Sequence, residues 1–79
     1  LNENHKLSYY WRGDAYFEKG ELDLAIQDFS KVIELDENYT LAIKKLLDIY
    51  KKKAVLEEDD DLKRFYEETI DEISKKIIK

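Results

Sequence analysis

The 79-residue chain contains no cysteine, no proline and no methionine, and it has only two glycines and one histidine. Without cysteine it can form neither a disulfide nor a thiolate metal site, and a reducing, cytoplasmic location is slightly favoured. His5 alone is too little for a histidine-rich metal site. No apolar run approaches the roughly 18 residues of a membrane span, and no signal peptide is recognisable, so we predict no membrane partner.

Charge, in contrast, is abundant and unevenly placed. Charged residues make up 42% of the chain and the net charge is −5. Residues 40–56 carry five lysines and one aspartate, a net charge of +4, and the run "EEDDD" at 57–61 follows with −5. Because the chain as a whole is acidic, we predict no nucleic-acid partner. The high charge and the scarcity of helix breakers favour an all-α fold.

The charge runs have two possible explanations. Lys51, Lys52 and Lys53 fall near the end of one predicted helix and the aspartates of "EEDDD" at the start of the next, where the helix dipole favours those signs. An acidic recognition loop is the alternative. The run lacks the glycine and the spacing of a calcium loop, so we predict no metal and no cofactor.

Apolar residues at spacings of three and four predict four helices. The first begins near Asn4, as an N-cap, and ends at Gly20, which suits a helix terminus. The second is "ELDLAIQDFSKVIEL" and ends near Asp36. Asn38 is predicted to cap the third, and the fourth runs from about Asp61 to Ile78.

The stretch "YYWRGDAYF", residues 9–17, holds five aromatic residues around Arg12, Gly13 and Asp14. This tripeptide occurs in integrin ligands, but there an exposed loop presents both charges together. In a helix, Arg12 and Asp14 point about 200° apart. We therefore interpret the stretch as a helix face rather than an adhesion site.

A shift of 34 residues places Asp14 on Asp48 and Tyr16 on Tyr50, and this period is typical of a helix–turn–helix repeat. From Ser8 to Tyr39 the chain resembles one whole tetratricopeptide repeat. Small residues stand where the two helices approach closely, aromatic residues fill the space beside them, and a glycine makes the turn. These structural positions are Gly13, Tyr16, Gly20, Ala25 and Phe29. The usual proline after the second helix is Glu37 here.

The resemblance weakens after the third helix, where Leu47 replaces the small residue equivalent to Gly13. The positions equivalent to Gly20 and Ala25 are Ala54 and Asp59. We expect a repeat at 6–39, a partial repeat at 40–56, an acidic linker at 57–61 and a C-terminal helix at 62–79. That last helix is either a degenerate repeat or a cap. We also expect the 79 residues to be part of a longer chain.

The resemblance implies a non-catalytic scaffold that binds a protein or peptide segment in a concave groove lined by the first helix of each repeat. An aromatic end and a basic end suit a partner with an apolar anchor and acidic groups. The implied groove residues are Leu7, Tyr10, Trp11, Asp14, Phe17, Lys44, Lys45, Asp48, Lys51 and Lys52. Alternatively, the aromatic residues pack against a neighbouring repeat. The chain would then be a structural cap or a self-association element of a longer solenoid.

Overall fold

The computed structural model describes residues 2–77, which form four α-helices and, within that range, no strand. The helices are α1 (Asn2–Lys19), α2 (Leu22–Leu35), α3 (Thr40–Leu56) and α4 (Asp60–Ile77). Short connections make consecutive helices antiparallel neighbours. α1 packs against α2 and α3 against α4, and α2 packs against α3 to join the two hairpins. The prediction of an all-α fold is confirmed.

The turn between α1 and α2 depends on Gly20, as predicted. Gly20 has φ +83°, a left-handed conformation that a side chain disfavours. Its N–H donates to the carbonyl oxygen of Phe17 at 3.0 Å, and the N–H of Glu21 donates to that of Tyr16 at 2.9 Å. This pair of bonds is a Schellman motif, which satisfies the last carbonyls of α1 and reverses the chain.

The core lies where the two hairpins meet. α2 supplies Ala25, Phe29 and Val32, all with no exposed surface, because these residues repeat at spacings of four and three on one face. α3 contributes Ala42, Leu46 and Ile49, and Tyr10 of α1 closes the same cluster. Ile73 of α4 packs against its edge. Burial of these side chains is the main force that holds the four helices together.

Two predicted helix caps are wrong. α1 already runs from Asn2, so Asn4 lies within the helix and is not its N-cap. α3 is preceded by Tyr39 in the N-cap position, without a side-chain cap. Asn38 lies one residue earlier, and its N–H donates to the Asp36 carboxylate at 3.1 Å. That Asx turn at Asp36 shapes the connection and leaves Asn38 outside the helix.

The acidic run makes the start of α4. Asp59 accepts the N–H groups of Asp61 and Leu62 at 2.9 and 3.2 Å, which is the geometry of an N-cap. α4 therefore begins at Asp60, inside the segment 57–61 that we expected to be a linker. Asp59 thus caps the start of α4, and Asp60 and Asp61 lie in its first turn, where the helix dipole favours negative charge. This agrees with the first of the two interpretations of the charge runs.

Candidate functional site

Gly13 brings α1 close to α2. A Cβ atom placed on Gly13 would lie 3.1 Å from the Cβ of Asp28 and 3.1 Å from Cε1 of Phe29. Such distances are tighter than ordinary van der Waals contact, so a side chain there would push the helices apart. The close approach sets the rotation of α1. It determines which of its side chains meet α3.

Asp14 and Lys45 connect α1 to α3. The Nζ atom of Lys45 lies 2.8 Å from Oδ1 of Asp14, and both side chains are about three-quarters buried. The contact with the Asp14 carboxylate raises the pKa of Lys45 above its ordinary value. Oδ1 is buried and accepts no well-aligned hydrogen bond from the described residues. The positive charge of Lys45 is therefore what compensates the buried negative charge of Asp14.

Phe17 lies beside this ion pair and faces two cations. The ammonium of Lys52 is 4.9 Å from the centre of the ring and that of Lys45 is 5.3 Å from it. These are cation–π distances, so the ring helps to hold both lysines above α1. The structure thus brings together Asp14, Phe17, Lys45 and Lys52 of the predicted groove.

Tyr10 differs from the expectation that it faces the groove. Its side chain is only 7% exposed, and its ring packs against Phe29 and Tyr39 with centres 5.5 and 5.6 Å apart. The chain itself buries Tyr10, which therefore offers little surface to any partner. Trp11 is different, because it is 63% exposed and touches Tyr10 edge-on at 5.3 Å.

The other predicted groove residues lie at the surface. Leu7 is exposed one turn before Trp11, and Asp48 is exposed on α3. Lys44, Lys51 and Lys52 are also exposed and form no ion pair within residues 2–77. We call the predicted groove residues other than Tyr10 the α1–α3 surface. Its members are Leu7, Trp11, Asp14, Phe17, Lys44, Lys45, Asp48, Lys51 and Lys52.

Lys53 has a structural role and does not belong to that surface. Its Nζ atom donates to Oδ1 of Asp23 on α2 at 2.9 Å and lies 5.3 Å from the ring centre of Tyr66 on α4. The bond to Asp23 raises the pKa of Lys53. Two of the five α3 lysines, Lys45 and Lys53, are thus neutralised by the first hairpin. The remaining three carry the charge available to a partner.

Sequence reasoning missed Asp28, which is buried on α2. Its two carboxylate oxygens accept hydrogen bonds from Nε and Nη2 of Arg12 at 2.9 and 2.8 Å. One signal could have revealed it. Asp28 stands three residues after Ala25 and four before Val32, inside the apolar stripe of α2, where a charge needs a partner.

The first hairpin matches a known protein family. Residues 7–39, which form α1 from its second turn, α2 and the connection to α3, match the tetratricopeptide repeat family. The repeat predicted from the sequence is therefore confirmed over residues 7–39. No curated protein and no solved structure matches the chain.

Across residues 2–77, no helix is long and apolar enough to cross a membrane. Nor do the described residues include a group of three or more histidine, aspartate or glutamate side chains arranged to hold a metal ion.

Proposed function

We propose that this chain is a non-catalytic binding module that holds an acidic protein segment with an apolar anchor on the α1–α3 surface. Tetratricopeptide repeats generally mediate protein–protein interactions and are typically not catalytic, and residues 7–39 form such a repeat. A cytoplasmic location, expected from the lack of cysteine, is part of the same proposal.

The observation that carries the proposal is the row of lysines without ion pairs beside an aromatic ring. Lys44, Lys51 and Lys52 follow one face of α3 at spacings of seven and eight residues. Phe17 borders this row at Lys52. Charges of one sign attract a partner of the other and set its orientation, so the partner is expected to be acidic.

Trp11 supplies the apolar contact. It is the single tryptophan of the chain, and a largely exposed tryptophan is a common anchor of binding interfaces. Leu7 lies on the same face one turn away and enlarges the apolar area. A partner with one large apolar side chain next to two or three carboxylates would match both ends of the surface.

A displayed peptide library tests the proposal without knowledge of the natural partner. Selection on the chain should enrich acidic peptides that contain leucine or an aromatic residue. Binding of a selected peptide should shift the fluorescence of Trp11, because its ring would leave water. The double variant Lys44→Glu/Lys52→Glu should weaken this binding at least tenfold, whereas Lys31→Glu on α2 serves as the matched control. Enrichment of basic peptides, or unchanged affinity of the double variant, would refute the proposal.

A structural role as the cap of a longer solenoid is the second candidate, and α4 favours it. Tyr66, at 9% exposure, is the one buried residue of that helix, while Glu67, Glu68, Asp71 and Glu72 face water. A polar outer face is what the last helix of a repeat array needs. If capping is the main role, removal of α4 should expose the α3 core and cause aggregation, and the peptide selection should enrich nothing.

A further inference from the structure

The most exposed apolar side chains of the described residues are adjacent, at the end of α3. Val55 is 79% exposed and Leu56 is 73% exposed. With Lys51 and Lys52, which precede them by one turn, they line one shallow, open depression. Apolar side chains grouped in this way commonly mark a contact with another molecule. We define these four residues as the α3 end patch.

Opposite charges lie on the two sides of the apolar pair. Lys51 and Lys52 come before it and form no ion pair within residues 2–77. After it come the carboxylates of residues 57–61. Glu57 and Asp59 accept backbone N–H groups of the turn, but Glu58 and Asp60 are exposed and accept no hydrogen bond from the described residues. The surface that runs from the α3 end patch to Asp60 is therefore basic at one end, apolar in the middle and acidic at the other.

A surface with this order of charges is complementary to itself when it is rotated by a twofold axis. We propose that two copies of the chain associate through the α3 end patch, with α3 of one copy antiparallel to α3 of the other. Val55 and Leu56 then meet their counterparts at the axis. Lys51 and Lys52 of each copy face Glu58 and Asp60 of the other.

The twofold arrangement explains why one patch suffices for a closed pair. In a twofold interface the same residues serve on both sides, so each lysine–carboxylate contact occurs twice and no site is left to recruit a third copy. The apolar area is small compared with that of permanent dimers, so the pair should be weak and depend on concentration. This inference does not rest on the peptide-binding proposal, although both use Lys51 and Lys52.

The first measurement is the mass of the chain by sedimentation equilibrium between about 1 µM and about 1 mM, the range of weak association. We expect the mean mass to rise from 9.5 kDa towards twice that value. Added salt should shift the rise to higher concentration, because the charge contacts are exposed. A mass that stays at 9.5 kDa over the whole range would overturn the proposal, as would growth beyond a pair.

Charge reversal identifies the interface. The variants Lys51→Glu/Lys52→Glu and Glu58→Lys/Asp60→Lys should each be monomeric, because each places like charges opposite one another. An equal mixture of the two should restore the pair as a heterodimer, since both contacts are then attractive. A mixture that remains monomeric would contradict the proposed arrangement. Circular dichroism of each variant verifies its fold.

Two more variants complete the test. Val55→Ser/Leu56→Ser removes the apolar centre of the interface and should reduce association at least tenfold. Because both positions are exposed, this variant should fold, so it tests the interface even if a charge-reversed variant fails to fold. Lys44→Glu is the matched control. It lies on the same face, seven residues or about 10 Å before Lys51. It should leave the pair intact but weaken binding of a selected acidic peptide. The two proposals can therefore fail separately.

Discussion

Arg12 on α1 holds both carboxylate oxygens of Asp28 on α2, with Nε 2.9 Å from Oδ2 and Nη2 2.8 Å from Oδ1. The Asp28 side chain is 5% exposed, whereas that of Arg12 is 59% exposed. The hydrogen bonds to Asp28 raise the pKa of Arg12 above its ordinary value. In the Arg-Gly-Asp sequence, Arg12 is thus bound to α2, while Asp14 is paired with α3 through Lys45. The two charges have different partners and are not presented together.

Replacement of Arg12 by methionine should destabilise the chain markedly. The apolar stem remains, but the buried Asp28 carboxylate loses the two hydrogen bonds from Nε and Nη2 of Arg12, and an uncompensated buried charge is unfavourable. The expected result is a lower melting temperature and a lower urea midpoint. Circular dichroism at 222 nm, near the helical minimum, is a suitable measurement for a chain that is almost entirely helical.

The double variant Arg12→Met/Asp28→Asn separates the two causes. A neutral amide is easier to bury than a carboxylate, so the second substitution should recover part of the stability lost by the first. In the wild-type background, Asp28→Asn alone should be destabilising, because it weakens a charge-assisted contact. If Asp28→Asn had the same effect with and without Arg12, the two residues would not be coupled.

Gly13→Leu should lower the free energy of unfolding by about 1–3 kcal/mol, because the new side chain has no room between Asp28 and Phe29. Gly13→Ala is the informative comparison. It gains about 1 kcal/mol of helix propensity, which offsets the strain of a Cβ atom 3.1 Å from its neighbours. We therefore expect a change close to zero for alanine. Urea titrations of both variants measure the difference, and a neutral Gly13→Leu would show that the helices can separate without loss.

The extent to which sequence predicted the structure follows from how local each feature is. Gly20 was identified correctly because a Schellman turn depends on residues within one helical turn of it. The prediction that Asn38 caps α3 was wrong, because the Asx turn at Asp36 leaves Asn38 one residue before the N-cap position, which Tyr39 occupies. The burial of Tyr10 depends on Tyr39, 29 residues later and outside any helix, and no helical spacing predicts that contact. The contact of Asp14 with Lys45 likewise forms only when the two hairpins pack together, so no local pattern predicts it.

Phe29→Ala should leave the chain largely unfolded at room temperature. Phe29 is fully buried and contacts the ring of Tyr10, and removal of such a side chain costs about 3–5 kcal/mol. A core of this size rarely supplies more than about 3–5 kcal/mol in total. Phe65→Ala is the matched control, because Phe65 is 55% exposed and its loss should change stability little. Equal circular dichroism spectra for wild type and Phe29→Ala would contradict the assignment of the core.

Asp36 should make the stability depend on pH at the acidic end. Its carboxylate accepts hydrogen bonds from the Lys6 ammonium at 3.0 Å and the Asn38 N–H at 3.1 Å, and these, the first above all, lower its pKa below the ordinary 3.8. A lowered folded-state pKa stabilises the fold above the unfolded pKa, and that stabilisation is lost as the pH falls through the folded-state pKa. The melting temperature of wild type should therefore exceed that of Asp36→Asn near neutral pH.

That difference should begin to close below about pH 4 and narrow further as the pH falls through the folded-state pKa, because the protonated carboxyl no longer attracts Lys6. Melting curves of the two proteins over this range test it, and their difference removes the contribution of all other carboxylates. When Asp36→Asn is compared in the Lys6→Gln background, the melting-temperature difference should depend less on pH, since only the bond from the Asn38 N–H to Asp36 remains. A melting-temperature difference that stayed constant down to pH 2 would mean that Asp36 acts through the shape of the turn and not through its charge.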